Sequence, residues 1–176
     1  TYGLNAKYYG VNPGRIEPLN TQSNIAPLEI EKEQALEAAL FIGDLFELSD
    51  KWLIDVGARY TFFGAMGSNT QRIYADGSPK NESTVIGETT YGSGEFIETY
   101  GGPELRFSAR YLIADDLSVK ASVNSAYQFI HTLTNNTTAS PIDTWKLSDS
   151  NIKPQKGYQA SLGFYKNLND NAIEIS

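Results

Sequence analysis

The sequence predicts an all-β fold, an antiparallel sheet forming a segment of a transmembrane β-barrel wall, on three observations. Strand-length runs alternate apolar and polar residues, the connections between them alternate long and short, and no run is apolar enough for a membrane helix. In Leu117–Phe129 one parity holds Leu117, Val119, Ala121, Val123, Tyr127 and Phe129, and the other holds Ser118, Lys120, Ser122, Asn124 and Gln128. Successive strand side chains point to opposite faces, so such a run has one greasy side and one wet side. The longest plain apolar run, Ala38–Ile42, falls far short of the ~20 residues a helical span needs.

Seven strands follow in order. The first sets Tyr2, Leu4, Ala6 and Tyr8 against Gly3, Asn5, Lys7 and Tyr9; a Gly/Pro-punctuated loop with a Pro13-Gly14 turn comes next, over residues 10–33. The second, over 34–48, places Leu36, Ala38, Leu40, Ile42, Phe46 and Leu48 on one parity, with Asp44 as the exception. Helix formers crowd Glu31–Ala39, so a helix competes there, but the pattern that follows favours a strand. Ser49-Asp50-Lys51 turns the chain into Trp52–Phe63, with Trp52, Ile54, Val56, Ala58, Tyr60 and Phe62 on one face. Residues 64–102 read as a long polar loop, rich in glycine and without clean periodicity. The fourth strand, Glu104–Ile113, leads through Ala114-Asp115-Asp116 into Leu117–Phe129. A third long loop spans 131–156, then Gly157–Asn167 turns at Asn169-Asp170-Asn171 into a seventh strand, Ala172–Ser176, which stops in mid-pattern.

In an antiparallel meander alternate connections fall at opposite ends, so the three long loops share one end. Outer-membrane barrels have that polarity, with short periplasmic turns and long external loops. The wet face would line the lumen, carrying Asp55, Arg59, Glu104, Arg106 and Arg110, with Arg59 facing Asp55, and Arg106 and Arg110 facing Glu104. On a lipid face such charges are costly. The aromatic share, 12%, suits strands and the girdles at both membrane interfaces.

A net charge of −7 argues against nucleic acid, which needs Lys/Arg-rich patches. The absence of cysteine removes disulfide scaffolds, thiol catalysis and Cys-based metal sites. One histidine, His131, with no nucleophile motif gives no triad, and it reads as structural. Asp115-Asp116, Asp143/Asp149 and Asp170 lack calcium-loop spacing, and acids in tight turns cap backbone amides. Gly92-Ser93-Gly94 and Gly101-Gly102 are loop glycines, and the acceptor-like Asn81-Glu82-Ser83 and Asn135-Asn136-Thr137 are surface loops. No cofactor is implied and no enzyme is expected. The loop aromatics Tyr74, Tyr91, Phe96, Tyr100 and Trp145 are the candidates for ligand or partner contact, since aromatics in polar loops stack on sugars or anchor peptides.

Several runs also resemble a known family. Tyr2-Gly3-Leu4-Asn5-Ala6-Lys7-Tyr8-Tyr9, followed by Asn12-Pro13-Gly14-Arg15-Ile16-Glu17-Pro18-Leu19, is similar to the barrel of TonB-dependent outer-membrane receptors. The match is to the Bacteroidetes type, whose N-terminal extension resembles a carboxypeptidase regulatory domain. Glu37–Asp44, Leu48–Leu53 and Val56–Tyr60 resemble its strand–turn–strand signature, and Glu104–Tyr111, Ser118–Ser122 and Tyr127–His131 its barrel hairpins. The resemblance implies about 22 strands in the whole barrel, of which this chain supplies about a third. It implies active import of a ligand held by external loops. It further implies, as partners, outer-membrane lipid, the rest of the barrel, a plug, the TonB energy-transducing system and a surface lipoprotein. Plug and TonB box are expected outside these residues, the chain being a piece of a longer polypeptide. Two other readings stay open: a passive or structural outer-membrane barrel, and a soluble β-sheet adhesin or carbohydrate-binding module.

Overall fold

The computed structural model describes residues 1–12, 14–18, 20, 22, 28–29, 31–133, 144–168 and 173–175. Its strands in chain order are β1 (Tyr2–Val11), β2 (Arg15–Ile16), β3 (Leu28–Glu29), β4 (Glu33–Ser49), β5 (Trp52–Met66), β6 (Asn69–Tyr74), β7 (Val85–Tyr91), β8 (Phe96–Ala114), β9 (Leu117–Gln128), β10 (Ile130–Leu133), β11 (Thr144–Leu147), β12 (Gln155–Leu168) and β13 (Ile173–Ile175). A single 3-10 turn, Glu82–Thr84, is the only helical piece among the described residues. The segment for which a helix competed is thus strand β4.

Seven strands form one antiparallel sheet in the order β1-β4-β5-β8-β9-β12-β13, each beside the next wall strand in the chain. The meander puts the connections 12–32, 67–95 and 129–154 at one end. The turns at 50–51 and 115–116 lie at the other. The turn at 169–172 falls outside the described residues, as do residues 13, 19, 21, 23–27 and 30 of the first long connection, 134–143 and the two ends of the expected seventh strand. Pairs β2–β3, β6–β7 and β10–β11 are small hairpins built from the long connections.

Register turns the alternation of each strand into a continuous surface, because directly opposed residues share a face. Leu4 faces Leu40, which faces Tyr60; Val56 faces Phe107, which faces Val123 and then Ala160; Ala121 faces Leu162. This apolar face is uncovered: Leu40, Ile42, Leu105, Leu162 and Phe164 are all exposed. Trp52 and Tyr111 pair at 4.7 Å at the short-turn end. Tyr8, Tyr60, Phe62 and Tyr158 lie on the same face toward the other end. From Trp52 to Phe62 is about 33 Å along the strand, or about 25 Å of height at a tilt of ~40°, the height of an apolar barrel band. Asp44 stands on this face opposite Val56, its Oδ1 accepting a hydrogen bond from the Leu45 amide at 3.0 Å.

The wall is taller than expected at the long-loop end. β5 continues to Met66, and β8 begins at Phe96, inside the stretch that reads as a loop. Gly101-Gly102-Pro103 caused that difference, since such residues normally end strands. Here Gly101 lies so close to β5 that a Cβ would sit 2.4 Å from the Thr61 carbonyl oxygen, so glycine permits the pairing. Pro103 is tolerated because its neighbour has left. The β8–β9 ladder stops at Arg106 and Asn124, and beyond it side chains take over: the Leu105 amide donates to Ser125 Oγ at 3.0 Å and the Tyr127 amide to Glu104 Oε1 at 2.7 Å. Amides two residues apart point the same way along a strand, so the missing N–H of Pro103 faces this opened seam.

The seam also corrects the placement of Tyr127 and Phe129, which the alternation puts on the apolar face. Phe129 instead stacks on Phe63 at 4.5 Å with the rings parallel, and Phe63 shares a face with Glu37. Both rings are buried with Ala35, Ala65 and Leu147 in a small core on the polar side of the wall. The third long connection therefore folds back over the polar face.

Candidate functional site

Two arrangements on the polar face carry the chemistry, and the first is a ladder of ion pairs across β1, β4, β5 and β8. Lys7 Nζ lies 3.3 Å from Glu37 Oε1, Arg59 Nη2 3.2 Å from the same oxygen, and Arg59 Nε 3.1 Å from Glu104 Oε2. Tyr9 donates to Glu37 Oε2 at 2.6 Å, and Thr61 to Glu104 Oε2 at 3.1 Å. Strand pairing supplies this order, because alternate residues of adjacent strands meet on one face. Every carboxylate oxygen in the ladder accepts a hydrogen bond, which buried charge requires. Cross-strand partners have displaced the pairings read from sequence: Arg59 bridges Glu37 and Glu104, and Asp55 lies 3.7 Å from Arg106. Glu37 was missed because the alternation of its strand showed the face but not the partner.

The second arrangement is the docked hairpin β10–β11. Lys146 reaches down between Glu33 and Asp149, forming an ion pair with Glu33 and lying 2.8 Å from Asp149 Oδ2. Glu33 Oε2 accepts from the Leu147 amide at 2.7 Å; Asp149 Oδ1 accepts from the amides of Asn151 and Ile152. Tyr100 donates to the Asp149 carbonyl at 2.7 Å, bolting the connection to β8. His131 Nε2 is 2.9 Å from Ser148 Oγ, both buried, a structural contact. Asn151 Nδ2 donates to the Arg72 carbonyl at 3.0 Å, and the Lys80 ammonium to the Asn151 carbonyl, so the second and third long connections hold each other. Glu31 Oε2 accepts from the Thr70 amide at 2.8 Å and ties in the first.

Burial pushes the Lys146 ammonium down, but the Glu33 and Asp149 carboxylates outweigh it and hold the group above the ordinary lysine value. A lysine raised on folding contributes stability below its unfolded value, about 10.4, and loses it as pH rises through the higher folded one. The hairpin is therefore expected to stay docked from neutrality to about pH 10 and to undock above it. Amide exchange at Leu147 checks this, and protection lost already at pH 8 would contradict it.

The five aromatic candidates do not form one cluster. Phe96 belongs to β8 and meets Phe62 edge-on at 6.0 Å, extending the apolar face. Tyr100, also in β8, is the bolt just described. Tyr74 and Tyr91 are half-buried in the β6–β7 hairpin, where Asn81 caps the 3-10 turn by accepting from the Ser83 amide at 3.0 Å. Trp145 is 54% exposed. It alternates with Lys146, so it stands on the side of the hairpin turned away from the wall. The polar-face charges Asp55, Arg59, Glu104, Arg106 and Arg110 all lie opposite the apolar belt. Among the described residues no group of His, Asp or Glu has the geometry to hold a metal ion.

An uncovered apolar band, a charged opposite face and folded connections gathered at one end define a piece of outer-membrane β-barrel. Residues 1–176 match the family described as TonB dependent receptor-like, beta-barrel, and the chain belongs to that family. No curated protein and no solved structure matches it. The family is one of transporters and receptors of the bacterial outer membrane.

Proposed function

We propose that this chain supplies part of the wall and three external loops of a TonB-dependent transporter, of the Bacteroidetes type its motifs resemble, importing a ligand captured outside. The observation that carries the reading is the pairing of a lipid-compatible face with a single loop-bearing end, in a chain of this family. The apolar face meets lipid and the charged face lines the lumen, where a plug is engaged by the TonB system. The loop-bearing end is also where a surface lipoprotein would sit.

Uptake by the full-length receptor should vanish when the energy-transducing partner is deleted, with the receptor still in the outer membrane. Uptake that persists would assign a passive barrel. Trp145, exposed on a hairpin fixed over the lumen side, is the aromatic best placed to touch a ligand. Trp145→Ala is expected to weaken ligand or lipoprotein binding by more than about 1 kcal/mol, roughly fivefold. Unchanged affinity in calorimetry, with the barrel intact, would remove Trp145 from the site. Tyr100→Phe separates the two roles, since it loosens the hairpin without deleting a ring.

A further inference from the structure

We infer that the free edge of β7 binds an extended oligopeptide as a third strand of the β6–β7 hairpin. The inference rests on the transporter reading in one respect, that this hairpin faces the outside, and it makes peptide the class of the captured ligand.

The two edges of the hairpin are used differently. On β6, the Thr70 amide donates to Glu31 Oε2 at 2.8 Å, and the Arg72 carbonyl accepts from Asn151 Nδ2 at 3.0 Å. In a strand the N–H and C=O of one residue point to the same side and those of its neighbours to the other. Thr70 and Arg72 therefore turn their main chain away from β7, and Asn69, Gln71 and Ile73 turn theirs toward it. Directly opposed residues of an antiparallel pair both point inward or both outward. Glu88 and Thr90, opposite Arg72 and Thr70, thus turn their main chain outward. Among the described residues no strand pairs with that edge, and the amides and carbonyls of Glu88 and Thr90 have no backbone partner.

Natural sheets protect an exposed edge with lysine, proline, a bulge or very short length. β7 is seven residues long, with neither lysine nor proline. Its bulge leaves Ile86 unopposed at one end, and its one charged residue, Glu88, is drawn across the hairpin to Arg72 Nε at 3.5 Å. Glu31 and Asn151 already fix the far edge, so an arriving strand has little to order on the receptor side.

The ligand class follows from the spacing. Main-chain donors and acceptors recur along this edge every second residue, about 6.8 Å, and an extended backbone presents their complement at the same repeat. A sugar or a chelated metal does not. Gly87 adds a side-chain preference. A Cβ there would stand 3.8 Å from Ile73 Cδ1, and Ile73 is exposed, so an apolar side chain across from Gly87 comes to rest on Ile73.

The test presents the full-length receptor, in vesicles of its own outer-membrane lipid, with a library of capped octapeptides randomised at every position. The receptor is expected to retain a subset of them. N-methylation of a retained peptide should weaken binding about fivefold or more at every second residue and little between, one lost hydrogen bond at a time. Glu88→Pro removes an outward N–H without touching the ladder to β6 and should lower retention by a similar factor. Thr90→Pro takes its place where Glu88→Pro disturbs the hairpin. A library that is not retained, N-methyl losses without the two-residue period, or retention indifferent to proline would overturn the inference. So would a crosslink from Thr89→Cys to a second copy of the receptor or to a folded partner protein that no peptide displaces. Uptake that persists without the energy-transducing partner would sink the transporter reading while leaving peptide retention interpretable.

Discussion

Replacing Lys146 by alanine is expected to release the β10–β11 hairpin from the wall, at a cost of about 3 kcal/mol to the docked state. The figure is the lower end for breaking a buried pair, because the Lys146 side chain keeps 22% of its surface in solvent. The loss exceeds that of one contact. Glu33 and Asp149, 9% and 6% exposed at their side chains, would face each other without a cation. Relief comes only by lifting the connection off, which exposes Phe63 and Phe129. Hydrogen exchange on the full-length receptor should then show residues 130–133 and 144–152 losing protection together, while β4 and β5 keep theirs. Restoring protection by adding Glu33→Gln and Asp149→Asn would identify stranded charge as the cause. Unchanged exchange in Lys146→Ala would mean that apolar contact alone holds the hairpin.

Val123→Lys and Ser122→Lys should differ greatly although the positions are adjacent. Val123 lies mid-belt on the apolar face, between Phe107 and Ala160, and a lysine there should cost the folded, membrane-inserted barrel about 2–4 kcal/mol. Ser122 lies between Ser108 and Ser161 on the other face, where a lysine should cost under about 1 kcal/mol. Urea titration of the complete barrel in lipid vesicles compares the two. Equal costs would mean that the apolar face does not meet lipid.

Most of the wall could be read from alternation, because each strand's face is written in its own residues and local order suffices. What could not be read depends on neighbours. Gly101, Gly102 and Pro103 spell a loop by composition, and only the departure of β9 makes them acceptable in a strand. Phe129 has the parity of the belt, yet the chain has left the sheet before reaching it. The hairpin lock pairs Glu33 with Lys146, 113 positions apart, and nothing local to either residue announces the other. Tyr74, Tyr91, Phe96, Tyr100 and Trp145 share the local signature of an aromatic in polar sequence, which cannot separate a bolt such as Tyr100 from an exposed ring such as Trp145.

The strict register of the wall bears on how such a chain can evolve. One residue added inside a strand would exchange the two faces from that point to the next connection, presenting arginines to lipid and leucines to water. Length changes in the wall are thus confined to even steps or to places where a bulge absorbs the odd residue. The irregularities of the ladder lie at Glu47/Ser49, Ala65/Met66 and Leu112/Ala114, each at the last residues of its strand. Insertions and deletions among descendants of this sequence should therefore collect at those margins and in the long connections. The middle of every strand would change by substitution alone.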